Sequence, residues 1–374
     1  MALLTGAGFG SAPERTALRN KIEQNLRTLF RQYGYNEITL PVYEYYSVLN
    51  THKQQFLDET LISFTDISTG RLLVLRPDFT PQASRLAAGY RGAFPLPIRL
   101  SYGGAVFRNA DIQHGAKAEK HQLGCELYGA PESEGDKELL LLITNAARLS
   151  QAEYSLLIGD AAYLARIRAL LGEYADEYFD ILKQKKLYRR GEFASKLKLA
   201  KLESLSPLIH ELPILFGGAK ALEKLKKLSA FDQELSSRIE HISAVFSELI
   251  ELGLPEENIL FDLAQLRALG YYTGLTFELF HRRSGVLLGA GGRYDSLMNS
   301  FNLDINACGF SLYLEELADV SGYVGERIAV DYLVLNNFKK AQELRQSGAV
   351  VVSVYDEGEL ARHLEFADVK NLIR

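Results

Sequence analysis

The chain has 374 residues, of which 47% are hydrophobic and 24% charged, a composition typical of a globular protein with one to three domains. These proportions exclude a disordered chain, a collagen and a disulfide scaffold, and no apolar run approaches the roughly 18 residues that span a bilayer. The net charge of −5 weighs against nucleic acid as the main partner. The first residues lack the basic and apolar regions of a signal peptide, and Cys125 and Cys308 lack the spacing of metal ligands. We therefore expect a cytoplasmic protein without a metal, a disulfide or a membrane partner.

The first 160 residues combine helix patterns with segments of strand pattern. Capping-box spacing at Ser11 and Glu14, followed by apolar residues at intervals of three and four up to Tyr33, predicts a helix that ends at Gly34. The patterns that follow predict a strand over 36–42, a hairpin of 61–68 and 71–78, an antiparallel pair of 97–108 and 121–129, a helix over 136–149 and a strand over 154–160. The polar loop that joins the antiparallel pair is of a kind that often carries binding residues.

The pattern changes twice in the second half of the chain. From 161 to 255 the strand signals vanish, and Leu, Ala, Lys and Glu recur at helical spacing. Strand patterns then return over 259–266, 275–282 and 285–293, followed by a strand-to-helix segment over 307–319, and the last 49 residues have a strand–helix–strand–helix pattern. We therefore predict an α+β fold whose parts are a core at 1–160 and 256–325, a helical insertion at 161–255, and a small C-terminal α/β segment at 326–374.

Two local patterns permit a binding function but favour a simpler interpretation. Gly6, Gly8 and Gly10 resemble a phosphate-binding loop, but that motif requires a preceding strand within a βαβ unit. A flexible N-terminal lead is therefore favoured, and no nucleotide cofactor is expected. The stretch 183–201 contains eight Lys or Arg residues and the single acid Glu192. Such a stretch could dock an acidic partner or RNA, but a solvated helical face is the more frequent explanation.

The segment that contains Arg267, Tyr271 and Tyr272 is more informative. Adjacent tyrosines on a strand point to opposite faces, so one would pack and the other would line a pocket. A buried tyrosine also needs a partner for its hydroxyl group. Considered alone, the pair favours packing. The glycines within 289–292 are compatible with close approach of either a ligand or a neighbouring strand.

Five segments, taken together and in order, resemble the motifs of class II histidyl-tRNA synthetases. They are GYNEITLPVYE (34–44), LRPDFTPQ (75–82), YGGAVFRNADIQHGAKAEKHQLGCELYG (102–129), LRALGYYTGLTFE (266–278) with GAGGRYDSL (289–297), and ACGFSLYLEEL (307–317). The resemblance covers about residues 10–320. It implies a class II synthetase-like antiparallel sheet flanked by helices. Pro41 matches the motif 1 proline, which lies at the dimer interface in that family.

The same resemblance implies a pocket for histidine. The matching residues are Asp78, Thr80, Arg108, Gln122, Glu126, Arg267, Tyr271 and Tyr272. In the family, the residues at the positions of Asp78 and Thr80 lie near the ammonium group of the amino acid, and the one at Arg108 reaches its carboxylate. Gln122 and Glu126 match strand residues that face the ligand, and the tyrosine pair encloses the imidazole. Asp78 departs from the family's glutamate and has a shorter reach by one methylene group.

The positions that bind ATP in the family are changed. The resemblance places Ala110 at a motif 2 glutamate, Ala116 at the arginine that meets the γ-phosphate, and Lys120 at the aromatic residue that stacks on adenine. In motif 3, Glu316 stands at the terminal arginine and Tyr313 at a glycine. A glutamate at a phosphate site repels where attraction is required. Such changes beside an intact amino-acid subsite predict binding of histidine without its activation.

This combination is similar to one family of synthetase paralogues, the regulatory subunits of ATP phosphoribosyltransferase in histidine biosynthesis. The C-terminal segment has about half the length of the anticodon-binding domain of the synthetases, so the resemblance implies no tRNA substrate. It implies a subunit without catalytic activity that forms homodimers within a hetero-octamer, activates a short catalytic subunit and confers feedback inhibition by L-histidine. The alternatives are a histidyl-tRNA synthetase of unusual sequence and a histidine sensor with another partner.

Overall fold

A computed structural model describes residues 3–5, 8–10, 12–49, 60–90, 92–109, 118–199, 202–266, 271–323, 329–366 and 368–373. The chain forms two compact units. One comprises Met1–Thr5, Phe9–Ile22 and Tyr323–Arg374, and the other comprises Gly6–Gly8 and Glu23–Gly322. Among the helices of the described residues, none is both long and apolar enough to cross a membrane.

The larger unit is built on a sheet of eight strands. In spatial order they are β10 (Ile259–Phe261), β9 (Tyr154–Asp160), β11 (Leu275–His281), β12 (Leu287–Arg293), β13 (Ala307–Tyr313), β8 (Glu119–Tyr128), β7 (Ile98–Phe107) and β3 (Asn36–Glu37). Neighbouring strands are antiparallel except for the two outermost pairs, β10 with β9 and β3 with β7, which are parallel. The predicted α+β fold with an antiparallel sheet is confirmed.

Helices and a small second sheet accompany the large sheet. The helices are α1 (Pro13–Gln32), α2 (Tyr46–Leu49), α3 (Thr80–Gly89), α4 (Glu132–Leu149), α11 (Asp295–Asn299) and α12 (Leu314–Val320). The small antiparallel sheet has the order β4 (Tyr43–Tyr45), β6 (Leu72–Leu75) and β5 (Ser63–Thr65). Its hairpin, β5 with β6, matches the predicted one, and Gly70 takes the left-handed conformation that its turn requires.

A series of helices connects β9 to β10. They are α5 (Ala161–Leu171), α6 (Ala175–Lys183), α7 (Arg190–Leu199), α8 (Ser206–Glu211), α9 (Ala219–Ser229) and α10 (Gln233–Glu251). The side chain of Asp160 caps α5 by accepting a hydrogen bond from the backbone N–H of Tyr163. In the basic stretch, Arg189 and Lys196 both pair with Glu177 on α6, which favours its interpretation as a helical face.

The smaller unit contains a parallel sheet with two helices. Its elements are β14 (Ala329–Leu335), α13 (Phe338–Gln346), β15 (Val351–Val354), α14 (Glu357–Phe366) and β16 (Asp368–Ile373), with β14 between the other two strands. Val330, Leu333, Val354 and Leu360 form a core cluster between this sheet and α14. The division of the chain into core, insertion and C-terminal segment stays a prediction.

Three sequence predictions need correction. The strand predicted over 36–42 is limited to β3, because Pro41 has no N–H to donate and the carbonyl oxygens of Leu40 and Pro41 accept hydrogen bonds from the Arg76 side chain instead. A fifth element of the C-terminal segment, β16, follows α14 and was not predicted. Near the N-terminus, β1 (Leu3–Thr5) and β2 (Gly8–Gly10) form a two-stranded sheet rather than a flexible lead.

A buried ion pair joins α4 to the sheet. The guanidinium of Arg293, at the end of β12, donates to Asp136 on α4 over 2.8 Å, and both side chains are 2% exposed. Asp136 also lies 2.9 Å from the Nε2 atom of His241 on α10. One carboxylate thus connects three elements of the larger unit, and its partners satisfy both of its oxygens.

We expect Asp136→Ala to lower the free energy of unfolding by about 3–5 kcal/mol, because it leaves a buried guanidinium without its main counterion. Chemical denaturation measures this loss. The matched control is Glu153→Ala, which breaks the exposed pair with Arg283 and should cost less than about 1 kcal/mol. Equal losses for the two variants would contradict the role given to Asp136.

Candidate functional site

A cavity lies over strands β8, β12 and β13 of the large sheet. We call it the first cavity. It encloses about 380 Å³ of empty space, part of it open to solvent. It is lined by Asp78, Thr80, Arg108, Gln122, Tyr271, Tyr272, Ala290, Gly291, Tyr294, Gly309, Phe310, Ser311 and Tyr313. Six of the eight residues predicted to bind a ligand therefore lie around one cavity, although they come from separate segments of the chain.

The other two predicted residues do not line the first cavity. Arg267 lies outside the described residues. Glu126 is fully buried beneath Gly309, where a Cβ atom would lie 1.7 Å from the carboxylate oxygen Oε2. Only glycine leaves room for that carboxyl group. Glu126 reaches the cavity indirectly, through its hydrogen bonds to Thr80 and Tyr294, which line it.

Three hydroxyl groups surround the carboxyl group of Glu126. The hydroxyls of Thr80 and Tyr102 lie 2.8 and 2.9 Å from Oε1, and the Tyr294 hydroxyl donates to Oε2. Burial raises the pKa of Glu126 to about 8, although the hydrogen bonds from Tyr294 and Thr80 act in the opposite direction. The group therefore takes up a proton near neutral pH, and a cation placed in the cavity would favour its ionised form.

The Tyr102 ring, whose hydroxyl group forms a hydrogen bond with Glu126, is held in place by stacking. It lies 4.2 Å from the Phe79 ring, with an angle of 8° between the planes. The Arg76 guanidinium lies 3.9 Å from the other ring of this stack, Phe79. Since the same guanidinium donates to the carbonyl oxygen of Leu40, the stack connects Glu126 to the segment before Pro41.

Asp78 is a second carboxylate of the site, and it is tied to neighbours at both oxygens. The hydroxyl of Tyr271 donates to Oδ2 over 2.9 Å, and the backbone N–H of Thr80 donates to Oδ1 over 3.3 Å. The side chain is 5% exposed and lines the cavity. Asp78 therefore offers negative charge at the cavity surface and also fixes the orientation of Tyr271.

Two polar side chains of the cavity wall suit a zwitterionic ligand. Arg108 is the one positively charged residue among the described lining residues, and its Nε donates to the carbonyl oxygen of Pro77 over 3.1 Å. Gln122 is 3% exposed, and its amide oxygen meets no hydrogen-bond donor within the described part of the chain. A buried acceptor without a donor is costly, so a ligand with an N–H group would satisfy it. The cavity can thus bind a carboxylate at Arg108 and an ammonium at Gln122 and Asp78.

A second cavity adjoins the first. It encloses about 360 Å³ of empty space and is lined by Val106, Arg108, Ala118, Lys120, Gln122 and Tyr313. The ammonium of Lys120 lies 3.3 Å from the Glu316 carboxylate and 4.8 Å from the centre of the Tyr313 ring. The charge of Lys120 is therefore already matched by an acid of the chain itself.

A further acid beside the second cavity, Glu315, is also paired. It accepts hydrogen bonds from the ring and the backbone N–H of His121, each over 3.1 Å. Burial opposes the ionised form, but these hydrogen bonds outweigh it and lower the pKa of Glu315 to about 2. Ala110 and Ala116, the other positions where the ATP contacts of the synthetases are changed, lie outside the described residues.

The tyrosine pair differs from the sequence prediction. Tyr271 and Tyr272 lie in an irregular segment, because β11 begins only at Leu275, and the alternation of a strand does not apply to them. Both rings line the first cavity, with 5.0 Å between their centres. Tyr271 also belongs to a buried core cluster, against which Tyr272 packs, so the two rings do not divide packing and pocket lining between them as predicted.

Sequence reasoning missed two residues of the site. Tyr294 lines the first cavity and bonds to Glu126, and Tyr102 bonds to Glu126 from β7. Both lie within segments that resemble the synthetase motifs, but neither was singled out. A buried glutamate requires hydrogen-bond donors around it, and this requirement is the signal that could have pointed to the two tyrosines. The sequence pattern does not show which elements lie near that glutamate in space.

One cluster offers the ligand types of a metal site. Glu132, Asp136 and His241 place one ligand atom each within 4.8 Å of one another. Arg238 donates to Glu132 over 2.6 Å, and Arg293 donates to Asp136. Because these guanidinium groups already balance both carboxylates, we interpret the cluster as an ion-pair network that joins α4 to α10.

Comparison with known proteins gives the class of the chain. The sequence profile of histidyl-tRNA synthetases matches residues 10–317. A crystal structure of an ATP phosphoribosyltransferase regulatory subunit/histidyl-tRNA synthetase from Bacillus halodurans is similar with a TM-score of 0.83 at 27% identity, covering 99% of this chain and 97% of that one. The predicted class II synthetase-like fold is confirmed.

Curated relatives make the assignment more specific. The ATP phosphoribosyltransferase regulatory subunit of Ruminiclostridium cellulolyticum is 32% identical over 88% of this chain and 80% of its own length. The regulatory subunit of the same name from a Thermoanaerobacter species is 32% identical over 94% of both chains. The chain belongs to the family of ATP phosphoribosyltransferase regulatory subunits.

The buried carboxyl group makes a pH-dependent prediction. The pKa of Glu126 is about 8 in the folded chain and near 4.5 when unfolded, so the folded state binds the extra proton between these values. The stability that this group confers therefore falls as the pH rises from 5 to 8. The free energy of unfolding of Glu126→Gln, minus that of the unchanged chain, should therefore rise by up to about 1.4 kcal/mol for each unit that the pH rises in this window.

Denaturant unfolding at several pH values measures this difference. Glu153→Gln, the same change at an exposed carboxylate, serves as the control and should give a flat difference. A flat difference for Glu126→Gln as well would contradict the assignment of a proton to the buried site.

Proposed function

We propose that this chain is a regulatory subunit without catalytic activity that binds free L-histidine in the first cavity and transmits its presence to the short catalytic subunit of ATP phosphoribosyltransferase. The observation that carries the proposal is the contrast between the two cavities. The first combines an arginine, an aspartate and an unsatisfied amide oxygen around one volume, with the buried Glu126 beneath its floor. The second has its one lysine neutralised by Glu316.

The proposed orientation of histidine follows from the charges of the first cavity. The α-carboxylate lies at Arg108, and the α-ammonium lies between Asp78 and Gln122. The imidazole then lies against Tyr271 and Tyr272, with Glu126 below the floor. Thr80 connects the two acids. Arg267 is proposed to contribute as well, because it matches an arginine of the histidine pocket in the synthetases that the sequence resembles. The family membership and the grouping of these residues around one volume support this arrangement.

The second cavity supports binding without activation. Adenylate formation requires cations around a triphosphate. Of the two described cations that line this cavity, Lys120 is paired with Glu316 and lies beside the Tyr313 ring, and Arg108 is proposed to bind the carboxylate of histidine. Ala110 and Ala116 supply no charge. For the same reasons we propose no tRNA substrate, and ATP–pyrophosphate exchange that depends on histidine would instead establish the alternative of a working synthetase.

Regulation requires a difference in histidine affinity between the active and inhibited states of the complex, because a ligand shifts an equilibrium only by its differential affinity. A coupling of about 1–3 kcal/mol is typical and changes affinity roughly 5- to 150-fold. We propose that the subunit also activates the catalytic subunit in the absence of histidine. The assembly is a hetero-octamer in the cytoplasm, where the buried thiols of Cys125 and Cys308 stay reduced.

We expect Tyr272→Ala to weaken histidine inhibition of the reconstituted complex by about tenfold or more, because the imidazole loses one of its two aromatic contacts. Tyr271→Phe should also weaken inhibition, since it removes the hydroxyl that orients Asp78. Assembly, measured by size, and activity without histidine should be unchanged in both variants. Full histidine inhibition of both variants would show that the first cavity is not the inhibitory site.

The small sheet is the proposed dimer contact. Val42, Tyr43, Phe64 and Leu72 are each 42–54% exposed there, next to Pro41 of the motif that lies at the dimer interface in the synthetases. The Tyr43 and Phe64 rings contact each other across the sheet, with 6.2 Å between their centres. An exposed apolar group of this kind is typical of an interaction surface.

A charge introduced into this surface should dissociate the dimer. We expect Phe64→Lys to raise the dissociation constant by about tenfold or more, because the ammonium would be buried without a partner. Sedimentation velocity at several concentrations measures the shift. Phe94→Lys makes the same change at an exposed phenylalanine outside the small sheet and should leave the dimer intact. An unchanged dimer in Phe64→Lys would place the contact elsewhere.

A further inference from the structure

The two cavities are separated by side chains that belong to both. Arg108, Gln122 and Tyr313 line the first cavity and also the second. Tyr313 and Gln122 are direct partners in the register of β13 with β8, so they stand side by side on one face of the sheet. We call these three side chains the partition.

The Tyr313 ring of the partition is held in place from the side of the second cavity. The ammonium of Lys120 lies over its ring at 4.8 Å, a distance at which the ring face attracts a cation. Lys120 is in turn held by Glu316, whose side chain is 14% exposed. The phenol ring is thus supported by an ion pair on the side of the second cavity.

The position of Arg108 determines which end of a bound amino acid meets the partition. Arg108 is the cation of the first cavity and also a member of the partition, so a carboxylate bound to it ends against this boundary. A group attached to the carboxyl carbon would have to pass between the first and second cavities, through the space that the Tyr313 ring occupies.

We propose that Tyr313, supported by Lys120, is a specificity-determining residue that closes the first cavity at its carboxylate end. The cavity then accepts an amino acid with a free carboxylate and excludes amides, esters and peptides extended at that carboxyl group. This inference rests on the proposed histidine site, and it adds a reason for the bulky side chain at this position. A sensor of the free amino acid is protected in this way from peptides that begin with histidine.

Calorimetric titration of the full chain with three probes tests the inference. The probes are L-histidine, histidyl-glycine, which is extended at the carboxyl group, and glycyl-histidine, which is extended at the amino group. The unchanged chain should bind histidine and neither dipeptide. In Tyr313→Ala the two cavities merge, and the affinity for histidyl-glycine relative to histidine should rise by about tenfold or more, because the ring that blocks its extension is removed.

Two controls separate this effect from a general loss of structure. Tyr313→Phe keeps the ring and should keep the exclusion. Glycyl-histidine should gain nothing in Tyr313→Ala, since its extension starts at the amino group and leaves its carboxylate free to bind Arg108. Comparable binding of histidine and histidyl-glycine by the unchanged chain would overturn the inference while leaving the histidine site intact. A Tyr313→Ala variant that binds histidine but gains no affinity for histidyl-glycine would also overturn the inference. Absence of histidine binding by the unchanged chain would overturn the proposed function itself.

Discussion

The carboxyl group of Glu126, enclosed by three hydroxyl groups under a glycine, is the constraint on which the candidate site depends. Thr80 comes from the start of α3, Tyr102 from β7 and Tyr294 from the end of β12, and all three converge on one carboxyl group of β8. A buried carboxyl group without such donors would be strongly unfavourable. The hydrogen bonds therefore fix the relative positions of elements that are distant in sequence, and the first cavity takes its shape from that arrangement.

The two cavities differ in how their charges are used. In the first, Asp78 and Arg108 present opposite charges to one volume, which suits a small zwitterion. In the second, Lys120 is already paired with Glu316, so an incoming polyanion would have to compete with an internal counterion. The same fold thus offers a volume suited to a small zwitterion beside a neighbouring space whose lysine is already paired. This contrast agrees with the family to which the chain belongs.

The strand patterns were sufficient for most strands of the large sheet, because alternation and turn residues mark them locally. The residues around the first cavity were named only through the resemblance to the synthetases. The sequence did not reveal that Glu126 lies one layer below the cavity, since that depth follows from the close packing of Gly309 on β8. It also placed Tyr271 and Tyr272 on a strand, whereas β11 begins only at Leu275. The role of Tyr313 as a boundary depends on tertiary geometry that no local pattern contains.

The most direct test of the central claim is calorimetric titration of the purified chain with L-histidine and with ATP in separate experiments, each repeated in the presence of the catalytic subunit. The account predicts saturable binding of histidine, with release of a proton near pH 7 as the ligand's positive charge favours the ionised form of Glu126, and no heat from ATP binding to this chain. Formation of an adenylate, or indifference to histidine both alone and in the complex, would contradict it.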